Sequence, residues 1–303
     1  MENLKKPEHI TVLAVDADIV CYRVAAVFEH AKDMVLFEAL DEFMHNIVRN
    51  SGVNKMVMFI SDKTNFRYKV AVTQPYKGNR KSIVRPHKLG EAKEYMMQQH
   101  RGYIYENMEA DDCIASYMTQ HDNVAHAGID KDIRQIQGWH FNFVKNIWEF
   151  TSEEESSLKL FRQICQGDTS DYIPGLVGIG EKKAAYAVTN PYTAYEDAFA
   201  LYNEVMRPIY TEKYEQAAIA GKPIAKYKGT IKEQLDQEVQ AYFDEQSTLV
   251  TMVDDLEIPY ESYVTINPPK VFEADDDEDG FIGFDEEPKP TLDLDSKPKI
   301  ILE

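Results

Sequence analysis

Short apolar runs alternate with longer amphipathic stretches in the first half of the chain. The apolar runs are rich in β-branched and aliphatic residues and predict strands at 9–15, 55–60, 102–105, 123–128 and 140–148. The amphipathic stretches predict helices at 20–50, with a break near 32–33, at 87–100 and at 110–120. Because strand and helix alternate, we expect an α/β fold with a mostly parallel central sheet flanked by helices.

After residue 157 the pattern becomes mostly helical. Apolar residues have helical spacing around L-K-L-F-R-Q-I-C-Q and again over 195–247, where a polar segment at 221–229 interrupts the pattern. Residues 247–253 are predicted to form a last strand. Beyond Pro268 the chain is acidic and poor in apolar residues, which is typical of disorder. The predicted organisation is an α/β domain over 1–157, a helical subdomain over 158–268 and an acidic tail over 269–303.

Charge is distributed very unevenly along the 303 residues, and this changes the meaning of the net charge of −19. Residues 273–303 alone carry −9. The polar stretch 63–93, which is broken by Pro75 and Pro86, carries +8. A local basic stripe of this kind is suited to phosphate binding whatever the total charge, although a solvated polar loop remains the alternative.

Composition excludes several classes of protein. No run of about 18 apolar residues is present, so no membrane span is expected, and the N-terminus lacks an apolar signal region. Three cysteines in apolar or helical contexts, Cys21, Cys113 and Cys165, favour reduced buried thiols and a cytoplasmic protein. Histidines and cysteines do not occur at zinc-binding spacing, and no nucleophile motif for covalent catalysis is found.

Carboxylates recur where apolar runs end and where one helix begins. In an open parallel sheet, the carboxyl ends of the strands converge on one crevice, so these side chains are expected to meet there. Oxygen ligands without nearby Cys or His favour Mg²⁺, or Mn²⁺ in its place, and two such ions are a common device for phosphodiester cleavage. The candidate metal ligands are Asp16, Asp62, Glu109, Asp111, Asp112, Asp130, Asp132, Asp168 and Asp171.

Two further motifs are suited to phosphate binding. In Y-K-G-N-R, Lys77 and Arg80 are three residues apart and can hold one phosphate, while Tyr76 can stack on an unpaired base and Lys81 extends the basic run. The segment 175–184, G-L-V-G-I-G-E-K-K-A, is a glycine-rich turn opening a helix. It is not a Walker loop, because Glu181 stands where lysine is required, and a helix-hairpin-helix grip on DNA phosphates is the better interpretation.

The order of these motifs resembles the structure-specific 5′ nuclease superfamily of flap endonucleases and 5′–3′ exonucleases. The series V-D-A-D, F-I-S-D, Y-K-G-N-R, M-E-A-D-D, G-I-D-K-D and G-D-T-S-D-Y-I-P-G-L-V-G-I-G-E-K-K-A is similar to the 5′-nuclease domain of bacterial DNA polymerase I and to the bacteriophage members. The resemblance covers about residues 10–190 and extends more loosely to about 257, without the tail. Three features depart from the usual pattern: Tyr172 in place of Asn, A-G-I-D in place of S-G-D, and the region 200–245.

The resemblance implies a PIN-like 5′-nuclease core and a role for each matching residue. Asp16, Asp62, Glu109 and Asp111 match the first-metal carboxylates, Asp112 a neighbouring acid of phage members, and Asp130, Asp132, Asp168 and Asp171 the second-metal group. Lys77 and Arg80 match the catalytic basic pair on the helical arch, here 63–93. Gly178, Gly180, Lys182 and Lys183 belong to the helix-hairpin-helix-type motif, where some relatives also bind a monovalent cation such as K⁺.

The expected activity is divalent-metal-dependent hydrolysis at or near DNA 5′ ends, flaps or nicks, in replication, repair or recombination. RNA–DNA hybrid is a further possible substrate. We expect a monomer in the cytoplasm, that of a bacterial host if the chain is virus-encoded. The acidic tail is interpreted either as a solubilising segment or as a binding site for a replication protein. Two alternatives stay open from the sequence: a ribonuclease built on the same acid-lined sheet, and a non-catalytic DNA-binding accessory protein.

Overall fold

The computed structural model describes residues 4–222 and 227–268, so the predicted acidic tail lies outside the described residues. The strands are β1 (Val12–Asp16), β2 (Lys55–Phe59), β3 (Val124–Ala127), β4 (Gly138–Asn142), β5 (Ile147–Thr151) and β6 (Val264–Thr265). The helices are α1 (Ala17–Val27), α2 (Asp33–Ser51), α3 (Arg67–Val70), α4 (Leu89–Gln99), α5 (Ala110–Gln120), α6 (Glu153–Gln166), α7 (Glu181–Ala187), α8 (Ala194–Ile219) and α9 (Ile231–Val250).

Six strands form one sheet in the order β5-β4-β3-β1-β2-β6. β1 lies between β2 and β3 and is parallel to both, and β3 is parallel to β4. The two edge strands, β5 and β6, run antiparallel to their neighbours. The predicted α/β fold with a mostly parallel central sheet is confirmed, since the four inner strands are parallel and helices connect β1 to β2 and β2 to β3.

Apolar side chains on the two faces of β1 enter different cores. Leu13 and Val15 pack with α1, α2 and α4 on one face, whereas Val12 and Ala14 pack with α5 on the other. This alternation follows from the two-residue period of a strand. β1 is buried along its whole length, so its carboxyl end is held at a fixed place between two packed layers.

Helices α6 to α9 surround a third core, to which Tyr202, Val239 and Phe243 belong. The chain then returns to the sheet: Met252, Leu256 and Ile258 pack against α5, and β6 pairs with β2. The domain boundaries predicted at 157 and 268 stay a prediction. Within residues 4–222 and 227–268, no helix combines the length and the apolar character needed to cross a membrane.

Most predicted elements are present, and three predictions are wrong. Residues 102–105 contribute only a single bridge, from Tyr103 to Phe59. The predicted strand 140–148 is instead the β4–β5 hairpin, which turns at 143–146. The predicted strand 247–253 is the last turn of α9 followed by an extended segment. In each case a short apolar run fits more than one structure, and its neighbours decide which forms.

Candidate active site

A cleft of about 940 Å³ lies at the carboxyl ends of β1, β2 and β3. Its lining includes eight of the nine carboxylates predicted from the sequence: Asp16, Asp62, Glu109, Asp111, Asp130, Asp132, Asp168 and Asp171. Asp18, which the sequence reasoning missed, lines it as well. Residues from five separate parts of the chain therefore meet as the parallel sheet predicts.

Local hydrogen bonds fix the carboxylates that follow β1 and β2. Asp16 ends β1 and caps α1, its Oδ1 accepting from the Ile19 N–H at 3.1 Å. Asp62 accepts from the Thr64 hydroxyl at 2.6 Å and from the Asn107 N–H at 2.9 Å. These bonds, led by the one from Thr64, lower the pKa of Asp62.

The loop at 167–175 folds back on itself so closely that two glycines are required. A Cβ on Gly167, whose φ is 73°, would lie 2.3 Å from the Ile173 carbonyl oxygen, and one on Gly175 would lie 2.3 Å from the Gly167 nitrogen. Within this loop Asp168 Oδ1 accepts from the Ser170 N–H at 2.7 Å. The tight backbone thus directs Asp168 and Asp171 into the cleft from the helical side.

Tyr172 in the same loop has a φ of 62°. Asn is several-fold enriched among residues in this left-handed region, and bulky residues are rare there. Tyr172, which departs from the Asn expected from the motif series, thus lies at a position whose backbone favours Asn over Tyr.

Burial and mutual repulsion disfavour several of the carboxylates in their charged form. Burial, reinforced by the neighbouring Asp18, raises the pKa of Asp16 to about 7. Burial and then Asp16 raise the pKa of Asp111 well above its usual value. Burial also raises the pKa of Asp130, and the negative charge of nearby Asp132 adds to this increase. Such a site attracts cations strongly.

Lys77 and Arg80 supply positive charge inside the cleft, as predicted. The Lys77 ammonium pairs with Glu109 and lies 3.6 Å from Asp171 Oδ2, while the Arg80 guanidinium pairs with Asp171 Oδ1. Burial alone would raise the pKa of Glu109, but Lys77, Arg67 and the Tyr76 hydroxyl together outweigh burial, and the pKa is lowered. The backbone of Lys77 is left-handed, with a φ of 53°, which turns the following residues into a 3₁₀ turn at Gly78–Ser82.

Tyr76 does not present its ring for base stacking. The side chain is 4% exposed, and its hydroxyl oxygen lies 2.8 Å from Glu109 Oε2 and 2.7 Å from Asp171 Oδ2. Its single proton is shared between these two carboxylates. Tyr76 therefore acts on the carboxylates, because the apolar core of the helical part covers its ring.

Asp112 is the one predicted carboxylate that the structure does not bring to the cleft. It is 0% exposed and faces the interior beneath α9. Arg67 donates to both of its oxygens at 2.7 Å, and the N–H groups of Glu109 and Val253 donate to them at 3.1 and 3.0 Å. With both oxygens occupied in this way, the geometry favours a structural role for Asp112 over metal binding.

The glycine-rich segment 175–184 does not contribute to the lining of the cleft. Gly180 caps α7, Gly178 has a φ of 74°, and a Cβ on either would meet nothing within 4 Å. Lys182 and Lys183 are exposed, and the Lys183 ammonium donates to the Gly178 carbonyl at 2.8 Å. Lys81 belongs to the 3₁₀ turn at Gly78–Ser82, and its side chain is outside the described part.

Sequence reasoning missed four charged residues at this site. Asp18 has a signal, since it repeats the acid two residues after Asp16. Arg67 and Lys93 are visible only as members of the basic stretch. Lys159 on α6, which pairs with Asp132 Oδ1 at 2.8 Å, has no sequence signal at all. The three cations are identified only by the carboxylates they contact.

Several of the carboxylates already pair with cations inside the protein. Among the described residues, no three Asp, Glu, His or Cys side chains are arranged to hold one ion as they stand. The donor set is nevertheless all oxygen, multiply negative and gathered at one cleft, which fits a hard divalent cation. To bind such an ion, Glu109, Asp171 and Asp132 would exchange their present partners Lys77, Arg80 and Lys159 for it.

Solved structures share this architecture. The bacteriophage T5 flap endonuclease, in a pseudo-enzyme–product complex with DNA and metal ions, superposes with a TM-score of 0.53 at 15% identity, covering 80% of this chain and 89% of that one. The T5 5′-exonuclease with bound zinc gives 0.52 at 16% identity, with the same coverage. This chain has the T5 5′-nuclease fold.

The fold expected from the motif series is thereby confirmed. Neither a family model nor a curated protein matches the sequence. The similarity is therefore one of architecture, retained at low sequence identity. The order of the motifs predicted this architecture because several of the short acidic motifs lie where the strands end.

Proposed function

We propose that the chain is a divalent-metal-dependent 5′ nuclease that hydrolyses phosphodiester bonds at or near DNA 5′ ends. One observation carries the proposal: eight carboxylates from separate segments line one cleft together with Lys77 and Arg80. The T5 structures of the same fold are 5′-exonuclease and flap endonuclease, and some contain DNA and metal ions.

The carboxylates are proposed to hold two or more Mg²⁺ ions, which Mn²⁺ can replace. Asp16, Asp62, Glu109 and Asp111 form one group, and Asp130, Asp132, Asp168 and Asp171 the other. Bound divalent ions lower the pKa of water and stabilise negative charge on the attacking and leaving oxygens.

Lys77 and Arg80 are proposed to bind the reacting phosphate. Both already contact Asp171, so a phosphate in the cleft meets two cations held on one short segment. An ammonium acts as a compact point charge and a guanidinium can bind two oxygens in parallel. Together they orient the phosphate and stabilise the charge that develops on its oxygens.

The exposed lysines beside the glycine-rich turn are proposed to hold the duplex. Lys182 and Lys183 stand next to backbone that approaches a phosphate without steric hindrance at Gly178 and Gly180. The proposal also includes a K⁺ site at this turn and action on RNA–DNA hybrids. The protein is further proposed to be a cytoplasmic monomer that acts in replication, repair or recombination. Residues 269–303 are proposed to bind a replication protein.

The decisive experiment uses end-labelled DNA. A 5′-flap duplex, a blunt duplex and an RNA strand of the same sequence are incubated with the protein in Mg²⁺ and in EDTA, and product lengths are read. Metal-dependent products starting from the DNA 5′ end or the flap junction are expected. Exclusive cleavage of RNA indicates a ribonuclease, and no cleavage in Mg²⁺ or Mn²⁺ indicates a non-catalytic DNA-binding protein.

Asp132→Asn provides the matched variant. It is expected to abolish cleavage while changing DNA affinity much less, because the side chain is proposed to bind metal and not DNA. Asp122→Asn, a change of the same kind outside the cleft lining, is the control. Full turnover by Asp132→Asn in Mg²⁺ would reject the assignment of the site.

A further inference from the structure

Lys93 reaches the same cleft from a different direction than Lys77 and Arg80. It lies on α4, and its Nζ is 2.6 Å from Asp18 Oδ1 in the first turn of α1. Both residues line the cleft. The Lys93 and Asp18 side chains are 34% and 25% exposed, so the pair is partly open to solvent.

Asp18 is held in place by the neighbouring strand. Its Oδ2 accepts from the Ser61 N–H at 3.0 Å, directly after β2. This bond ties the first turn of α1 to the end of β2, beside Asp16 and Asp62. The Lys93 ammonium therefore has a defined position next to the carboxylates that follow β1 and β2.

The ion pair between Lys93 and Asp18 is easily exchanged. Partly exposed pairs of this kind stabilise a protein by only about 0–1 kcal/mol. A phosphate that enters the cleft can take the place of Asp18 as the partner of Lys93 at small cost, and a lysine ammonium with three donors rearranges readily.

We propose that Lys93 binds a backbone phosphate of the substrate strand, at a position separate from the phosphate held by Lys77 and Arg80. Asp18 holds the ammonium at the cleft until that phosphate arrives. The inference rests on the proposed nuclease function and deepens it, since it assigns a second phosphate position within the same cleft. Arg85 and Lys63 also line the cleft and add positive charge there.

The same helix offers a matched control. Lys88, at the start of α4, pairs with Asp33 at the start of α2, so it too is a lysine with an aspartate partner on another helix. Neither Lys88 nor Asp33 lines the cleft. Lys88→Ala and Lys93→Ala thus remove the same charge and the same kind of ion pair from one helix.

The test is the salt dependence of DNA binding. Fluorescence anisotropy of a labelled 5′-flap duplex is measured in EDTA between 50 and 200 mM salt for wild type, Lys93→Ala, Lys88→Ala and Lys93→Arg. Losing one phosphate contact reduces the slope of log K against log salt by about 0.7–0.9. Wild-type affinity is then expected to fall about threefold more than that of Lys93→Ala over this range.

Lys88→Ala and Lys93→Arg are expected to keep the wild-type slope. A slope for Lys93→Ala equal to that of Lys88→Ala overturns the inference, whatever the cleavage activity. Because binding is measured without divalent metal, the result is independent of turnover. Absence of cleavage by the wild type in Mg²⁺ and Mn²⁺ overturns the proposed nuclease function instead, and leaves the slope comparison interpretable as nucleic-acid binding.

Discussion

Arg67 holds Asp112 in a two-point ion pair, with Nη1 2.7 Å from Oδ2 and Nη2 2.7 Å from Oδ1. The guanidinium also donates to the carbonyls of Leu249 and Thr251, at 3.0 and 2.9 Å. One side chain from the basic stretch thus joins the start of α5 to the end of α9. Glu109, whose N–H donates to Asp112, is positioned by the same arrangement.

Arg67→Ala is expected to destabilise the protein by about 3–5 kcal/mol, because it leaves the Asp112 charge buried without its partner. Urea unfolding at neutral pH measures this. Arg80→Ala is the control: its pair with Asp171 is partly exposed and is expected to contribute about 1 kcal/mol or less. A loss below about 1 kcal/mol for Arg67→Ala would contradict the structural role of the pair.

Asp112→Asn is expected to lower stability without changing the Mg²⁺ concentration that gives half-maximal cleavage. Asp112 lies inside the protein with both oxygens occupied, whereas Asp111 lines the cleft. Asp111→Asn is therefore expected to raise that concentration. An equal increase for both variants would restore Asp112 as a metal ligand.

Tyr76→Phe is expected to slow single-turnover cleavage about tenfold with little change in DNA affinity. The hydroxyl is lost from between Glu109 and Asp171, and a hydrogen bond to a charged group contributes about 1.5–3 kcal/mol. Tyr68→Phe is the control: Tyr68 also lines the cleft and packs edge-on against the Tyr76 ring, but Tyr68 itself is 56% exposed. Weaker DNA binding with an unchanged rate would support the original stacking role.

Lys77→Ala is expected to reduce the single-turnover rate by about 10²–10³-fold, the effect of removing one preorganised donor from developing charge. DNA affinity should fall much less, because many other phosphate contacts remain. Lys69→Ala, an exposed lysine of α3 outside the cleft lining, is the control. An unchanged rate at saturating protein would remove Lys77 from catalysis.

The buried side chain of His126 is expected to make the folded protein less stable in acid. Burial, with help from Arg134, lowers its pKa to about 3, and its Nδ1 faces that of His140 at 3.4 Å. The folded state therefore keeps His126 neutral, while the unfolded state takes up a proton below about pH 6.5. The stability that depends on neutral His126 is present above this pH and is lost progressively as the pH falls from 6.5 towards 3.

Urea unfolding of wild type and His126→Gln at pH 7.5 and 5.5 isolates this effect. The advantage of wild type over the variant is expected to shrink by about 1.4 kcal/mol at the lower pH. His9→Gln, which alters an exposed histidine, should leave the pH dependence unchanged. A constant difference between wild type and His126→Gln would show that His126 is protonated in the folded protein.

Local patterns predicted the elements well where they were long or chemically distinctive. The break before α2 and the interruption after α8 lie where polar residues interrupt the helical pattern, and the start of α5 is marked by the acids in its first turn. The β4–β5 hairpin and the last turn of α9 were mispredicted. Each is a short apolar segment whose pattern fits more than one kind of structure.

The sequence by itself determined the α/β architecture and eight of the nine carboxylates that meet at the cleft. Apolar periodicity predicted the strands, and the acids after β1, β2 and β3 lie at the carboxyl end of the sheet. The acids at the start of α5 and in the loop after α6 were identified from the motif series. Only the tertiary structure decided which charges face the cleft and which are paired inside. Asp111 and Asp112 are adjacent in sequence, yet one lines the cleft and the other is covered by α9 and Arg67. Side-chain direction on a helix and packing from residues 130 or more positions away, such as Leu249, made that choice.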